Sequence, residues 1–175
     1  MLHSPARPVE EIDEGVRRLA ADMVETMAAA PGVGLAAPQV GSPLRMFVWS
    51  WTDDDGVVHS GVAVNPRLWI APTRVTPAGD DDVEGCLSFP GERFGLVRSS
   101  AAILEASDLE GDPVRIEAEG WLARIFQHEY DHLDGVLYLD RLAHPEHKAA
   151  MKIRKKNGWG VDGLSWLPGT DHPED

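Results

Sequence analysis

The residues of this chain best equipped for chemistry stand together in Gln127-His128-Glu129-Tyr130-Asp131-His132-Leu133. The run from Trp121 to Leu133 reads as a helix. Residues four apart on a helix share a face, so His128 and His132 point the same way. Two imidazoles so placed can hold one divalent metal, and Glu129, beside the first, can reach a water on that metal. A lone histidine in an apolar helix is usually structural; a pair at this spacing with an adjacent glutamate is a stronger pattern. Two histidines do not complete a catalytic site, which needs a third protein ligand and one open position. The candidates are Cys86, Glu84 or another glutamate, His144 and His147. A Cys86 thiolate suits zinc or ferrous iron, although a lone cysteine taken by itself reads first as a small buried apolar residue.

The elements that must position these groups can be read from the pattern of apolar residues. Ile12, Val16, Leu19, Met23, Val24 and Met27 recur at helical spacing, which predicts an amphipathic helix from Glu10 to Ala29 stopped by Pro31-Gly32. Gly32-Val33-Gly34-Leu35-Ala36-Ala37-Pro38-Gln39-Val40-Gly41 follows a helix instead of opening one, so it is no phosphate loop. Its small residues let backbone come close to something, and Gln39 is a polar residue on that loop. The middle of the chain is β-like. Met46 to Trp49 and Val57 to Val64 form a hairpin about Asp53-Asp54-Asp55-Gly56, a solvated turn that lacks the later glutamate of a calcium loop. Leu68 to Ile70 reads as a further short strand and Phe94 to Arg98 as another. Ala102 to Ser107 and Val114 to Glu119 flank the turn Asp108–Pro113. Gly135 ends the central helix, Val136 to Leu139 reads as one more strand, and Pro145 opens a last helix to about Lys156.

These elements give an α+β fold: antiparallel strands surrounding a central metal-binding helix, with an amphipathic helix before them and a helix after. No linker divides the chain, so a single domain over 1–175 is expected, with a core from about 2 to 156 and a tail from 157 to 175. The tail's Trp159, Leu164, Trp166 and Leu167 suggest packing onto the body, and its last residues read as disordered. The 175 residues carry 16 basic and 29 acidic side chains, a formal charge of −13, which argues against a broad nucleic-acid surface such as DNA binding demands. No apolar run approaches the roughly 18 residues that span a bilayer, nothing at Met1-Leu2-His3-Ser4-Pro5 resembles a signal peptide, and one cysteine supports no disulfide framework. A cytoplasmic location is the expectation.

Three segments taken together carry more than each does alone. Gly32-Val33-Gly34-Leu35-Ala36-Ala37-Pro38-Gln39, Glu84-Gly85-Cys86-Leu87-Ser88 and Gln127-His128-Glu129-Tyr130-Asp131-His132-Leu133 closely resemble, in that order, the three signature motifs of the peptide deformylases. These are metal hydrolases that remove the formyl group from the N-terminal methionine of nascent bacterial proteins. The resemblance covers about residues 2 to 156. It implies that Cys86, His128 and His132 bind the metal and that Glu129 is the general base and then the acid. It implies that Gln39 and the Leu87 N–H hold the formyl oxygen, that Gly34 is tight backbone beside the site, and that Arg93 contacts substrate. It also implies ferrous iron, with zinc, nickel or cobalt as substitutes, and a longer segment ahead of residue 1 than this chain carries. The extended tail resembles that of actinobacterial relatives.

An apolar pocket must take the methionine side chain, and Val33, Trp121, Phe89 and above all Ile125, one turn before His128–Glu129, are the candidates. Glu84, Gln127 and Asp131 are possible partners for the ring nitrogens that face away from the metal. The basic run Lys152-Ile153-Arg154-Lys155-Lys156 complements the helix dipole at its C-terminus, and the family's work on nascent chains prompts a ribosome contact there. Two other readings compete. A zinc peptidase would use the histidine motif on internal peptide bonds and have no need of the cysteine and glutamine segments, and a non-catalytic metal-dependent binding protein would not depend on Glu129.

Overall fold

Four consecutive apolar residues, Met46-Phe47-Val48-Trp49, are all buried, and their alternation sets the layers of the fold. In the computed structural model, which describes residues 1–161 and 165–171, they open strand β2 (Met46–Thr52) of a five-stranded antiparallel sheet. Successive strand residues project to opposite faces. Met46 and Val48 therefore join the cluster that holds Val16, Ala20, Met23 and Met27 of helix α1 (Glu14–Ala29). Phe47 and Trp49 point the other way, to Phe126 of helix α2 (Gly120–Leu133), with ring centroids 6.0 and 5.2 Å apart. The sheet is thus covered by a helix on each side, and α2 carries the metal-binding motif.

The other strands are β1 (Gly34–Ala36), β3 (Val58–Ile70), β4 (Val83–Cys86), β5 (Phe89–Gly95), β6 (Ala101–Ser107) and β7 (Pro113–Glu119). The sheet order is β1-β2-β3-β6-β7, while β4 and β5 form a separate hairpin. The α+β class expected from the pattern is the one found. Helix α3 (His144–Asn157) closes the order of elements. No helix among the described residues is long and apolar enough to cross a membrane.

Several boundaries differ from the sequence reading, each for a local reason. Helix α1 begins at Glu14, not Glu10, because the Asp13 side chain accepts the Val16 N–H and caps it. The chain before it is held extended, with Asn65 bonding both the N–H and the C=O of Val9 at 2.8 Å. Asn65 has a φ of 51° at the bulge that lets β3 run on through Leu68–Ile70, so these residues are no separate strand. The expected strand Phe94–Arg98 is displaced to Phe89–Gly95, and Arg98 turns into a buried ionic cluster. Val136–Leu139 is not a strand: Tyr138–Arg141 form a short 3-10 turn, closed by Asp140 accepting the Leu137 N–H. Gly135 does end α2, with a φ of 75°, and a Cβ there would lie 2.8 Å from the Ser4 nitrogen. Of the tail aromatics, Trp159 packs edge-on against Phe89 with centroids 4.7 Å apart, whereas Leu167 is exposed. Leu164 and the final residues expected to be disordered lie outside the described residues.

The turn entering β4 is tied down by Asp82, which is buried. Its carboxylate accepts the Gly79 N–H at 2.7 Å, pairs with Arg74, and takes an Arg124 N–H at 3.2 Å. The Gly79 bond and the two arginines, against burial, hold its pKa below the ordinary value of 3.8. A carboxyl group depressed in this way contributes stability above its unfolded pKa and loses it as pH falls through the folded value. Asp82→Asn is expected to cost about 1–3 kcal/mol in denaturant unfolding at pH 7. The difference should shrink when the same comparison is made below about pH 3.

Candidate metal centre and active-site cleft

Helix α2 is buried almost all round, so its polar side chains need partners, and Glu129 Oε2 and His132 Nδ1 are the two buried side-chain atoms on it that have none among the described residues. Gln127 accepts the Ser99 N–H at 3.0 Å and donates to the Ser99 and Ala123 carbonyls at 2.9 Å, which fixes the chain entering β6. Asp131 takes Arg98 at 2.6 Å and Arg141 through two bonds of 2.6 and 2.5 Å. Neither is available to the histidines. Glu84 is: its Oε1 lies 2.7 Å from His128 Nδ1. The same carboxylate accepts two bonds from Arg98, at 3.0 and 2.7 Å, and one from Arg124 at 3.1 Å. Burial alone raises the Glu84 pKa, but His128 and Arg98 outweigh it and hold the group well below the carboxylate range.

With Nδ1 engaged, His128 directs Nε2 at His132 Nε2, 3.2 Å away, and Cys86 Sγ lies 3.2 Å from that same atom. The ligand atoms of the three residues fall within 4.8 Å of one another. Bonds of about 2.0–2.3 Å at tetrahedral angles place donor atoms about 3.3–3.6 Å apart, so the trio fits a metal ion. Burial pushes the Cys86 thiol pKa up, yet His132 and His128 hold it well below its ordinary value. The Ser88 N–H also points to its sulfur at 3.4 Å. His144 and His147, the other histidines weighed as ligands, lie on α3 and are not part of this cluster.

Glu129 is buried beside the trio, and its Oε2 has no hydrogen-bond partner among the described residues. Burial pushes its pKa up to about 7, against the pull of His128 and His132. The wall facing it is Gly34: a Cβ at that position would stand 2.7 Å from the Glu129 carboxyl carbon. Gln39 sits on the 3-10 turn Ala37–Val40. Its Oε1 accepts the Ala36 N–H at 2.8 Å, which aims the amide nitrogen at Ser88 Oγ, 3.2 Å away, and toward Cys86 Sγ at 3.9 Å.

Gly34, Gln39, Glu84, Cys86, His128 and Glu129 line one cleft of about 480 Å³, with His132 buried against them. Val33, Arg93, Trp121 and Ile125 line it too, as does the Leu87 segment. Ile125 is buried, Trp121 and Arg93 are exposed at the rim, and the Arg124 guanidinium lies 5.5 Å from the Trp121 ring centre. Phe89 does not line the cleft. It is buried in a different cluster with Tyr138 and Trp159, because Pro90, its neighbour on the strand, takes the cleft-facing place. Sequence reasoning missed Arg98, Arg124 and Arg141, which neutralise the buried carboxylates; Arg98, set in the apolar run Leu96-Val97-Arg98, was the visible signal. It also missed Trp166, a cleft residue supplied by the tail.

A profile of the family described as polypeptide deformylase matches residues 1–148. The chain belongs to the polypeptide deformylase family. It is 46% identical over 180 residues to a peptide deformylase of Tropheryma whipplei, an alignment covering 96% of this chain and 89% of that one. The crystal structure of a Thermus thermophilus peptide deformylase superposes with a TM-score of 0.75 at 41% identity, covering 89% of this chain and 87% of that one. A peptide deformylase from Synechococcus elongatus, solved in complex with actinonin, gives 0.77 at 33% identity over 95% and 87%. Family membership accounts for the spacing of the three motifs over a common fold.

Glu84 fixes the ring through which His128 presents its donor nitrogen. Glu84→Ala is expected to weaken zinc binding about 10–100-fold, read by competition with a chelator.

Proposed function

We propose that this chain is a metal-dependent hydrolase that removes the formyl group from the N-terminal formylmethionine of nascent polypeptides and releases formate. The observation that carries this reading is the convergence of Cys86, His128 and His132 beside Glu129 and Gln39 in one cleft, in a chain whose relatives are named peptide deformylases. Cys86 Sγ and the two imidazoles would hold a divalent metal, ferrous iron in the cell; mixed thiolate and imidazole donors also accept zinc, nickel or cobalt. When bound, such a metal supplies the Lewis acidity that brings the pKa of water from about 16 toward 7. Elemental analysis of anaerobically prepared protein, with activity measured alongside, identifies the ion.

The chain's own residues perform the rest. Glu129 accepts the proton of the attacking water and then delivers it to the amine that leaves as a free peptide N-terminus. The oxyanion formed on the formyl group is held by the Gln39 amide and the Leu87 N–H. A preorganised donor of this kind is worth roughly 3–4 kcal/mol in the transition state. Gln39 is preorganised because its carbonyl oxygen is already committed to Ala36. A formyl carbon bears only hydrogen, so the Gly34 wall against Glu129 admits it and rejects larger acyl groups. Ile125, with Val33 and Trp121, forms the apolar pocket for the methionine side chain, and Arg93 at the rim meets the peptide beyond it. The reaction belongs in the cytoplasm, where chains are made and a lone thiol stays reduced.

Glu129→Gln is expected to keep the metal and lower formate release from formyl-Met peptides by at least about 100-fold. Retained formate release would overturn the mechanism, and cleavage of blocked internal peptides by the wild type would favour a peptidase. At the end of α3, Lys152, Lys155 and Lys156 are exposed, while Ile153 packs inward and Arg154 donates to the Trp159 carbonyl. The three lysines form a ribosome contact. Changing them to glutamine should lower co-sedimentation with ribosomes at low salt, and unchanged co-sedimentation would remove this part of the reading.

A further inference from the structure

Among the cleft's lining residues that neither the three motifs nor the proposed chemistry uses, one is a large aromatic from outside the core. Trp166 comes from the tail, 34 residues after His132 in the chain. It is half-buried, lines the cleft, and donates its indole N–H to the Leu87 carbonyl at 2.9 Å. Leu87 is also pressed from the other side: a Cβ on Gly32 would lie 2.9 Å from its Cδ1. Gly32, Leu87 and Trp166 are therefore packed together where the β4–β5 turn borders the cleft. Ile125 and Trp121 line it from α2, a different element. With its only polar atom engaged by Leu87, what Trp166 offers the cleft is carbon surface.

We propose that Trp166 is a specificity-determining residue, forming an apolar wall for the side chain of the residue that follows the formylated methionine. This rests on the deformylase reading above. The wall favours leucine and similar apolar side chains over small polar ones at that position. An aromatic contact of this kind acts on binding and not on the chemical step, because Trp166 approaches neither Glu129 nor the metal ligands by any bond among the described residues.

The test uses the full-length, metal-loaded protein with formyl-Met-Leu-Ser, formyl-Met-Ser-Ser and formyl-Met amide. Trp166→Ala should raise KM for the leucine peptide about tenfold, leave kcat within about twofold, and leave both constants for the other two substrates within about twofold. Trp166→Phe, which keeps a ring and loses the N–H, should retain the preference for leucine over serine. A Trp166→Ala protein that loses kcat equally on all three substrates would overturn the proposal by making the residue a support for Leu87 alone. A lower KM on every peptide would do so by making the tail an obstruction, and unchanged constants would also overturn it. Because a variant can fail through folding, the wild type supplies a second readout: the indole 15N–H resonance of Trp166, identified by its loss in Trp166→Phe, should shift when the product Met-Leu-Ser is added and stay put with Met-Ser-Ser. No shift with either peptide overturns the wall even if turnover is normal, whereas a wild type that releases no formate from any formyl peptide overturns the deformylase reading instead.

Discussion

Three buried carboxylates decide how this molecule is put together. Asp82, Glu84 and Asp131 are each within a few percent of full burial, and a carboxylate cannot remain charged in such a place without partners. Arg98 bridges Glu84 and Asp131, Arg124 bridges Asp82 and Glu84, and Arg141 completes Asp131. The bridges tie the β4 strand, the chain before β6, helix α2 and the turn after it to one another. Buried ion pairs add little net stability against apolar packing of the same volume, whereas an unmatched member is costly. What the cluster provides is geometric: it admits only one placement of β4 on α2, and that placement is the one in which Glu84 meets His128 and Cys86 meets His132.

The apolar layers supply the frame within which that cluster can exist. Strand β2 is buried on both faces, so α1 and α2 are held at opposite sides of one strand through side chains two residues apart. Helix α2 is consequently enclosed, and its polar residues divide by direction. His128 and Glu129 turn to the cleft and His132 to Cys86, while Gln127 and Asp131 are spent on holding backbone and arginines. The site's electrostatics follow from the same enclosure, since desolvation raises the pKa of Glu129 while the facing histidines lower that of Cys86.

The site was legible in the sequence where chemistry demands particular residue types at fixed spacing. The i, i+4 histidines with their glutamate announce themselves, and Cys86 and Gln39 gain meaning from the motifs around them. The α+β class and most elements were legible from apolar periodicity. What escaped was set by contacts distant in the chain. The extended course of the chain ahead of α1 depends on Asn65 clamping Val9, the continuity of β3 on a bulge, and the choice of Glu84 over Gln127 or Asp131 on arginines that no local pattern assigns to it. Phe89 failed as a pocket residue because a shift of one position along a strand exchanges its faces. Trp166 was visible only as an aromatic in a tail, with nothing in its neighbourhood to say which surface it would reach.

The ordering of the site along the chain bears on how the molecule is made. Cys86 and His132 are 46 residues apart, and between them lie β5, β6, β7 and most of α2. Closing so long a loop is unfavourable until the intervening hairpins and helix exist. The donor atoms therefore depend on a scaffold held by the β2 layers and the arginine–carboxylate cluster. This differs from small zinc domains, where the ion itself drives folding. In this chain the β2 layers and the arginine–carboxylate cluster hold the three donors in place by contacts that involve no ion.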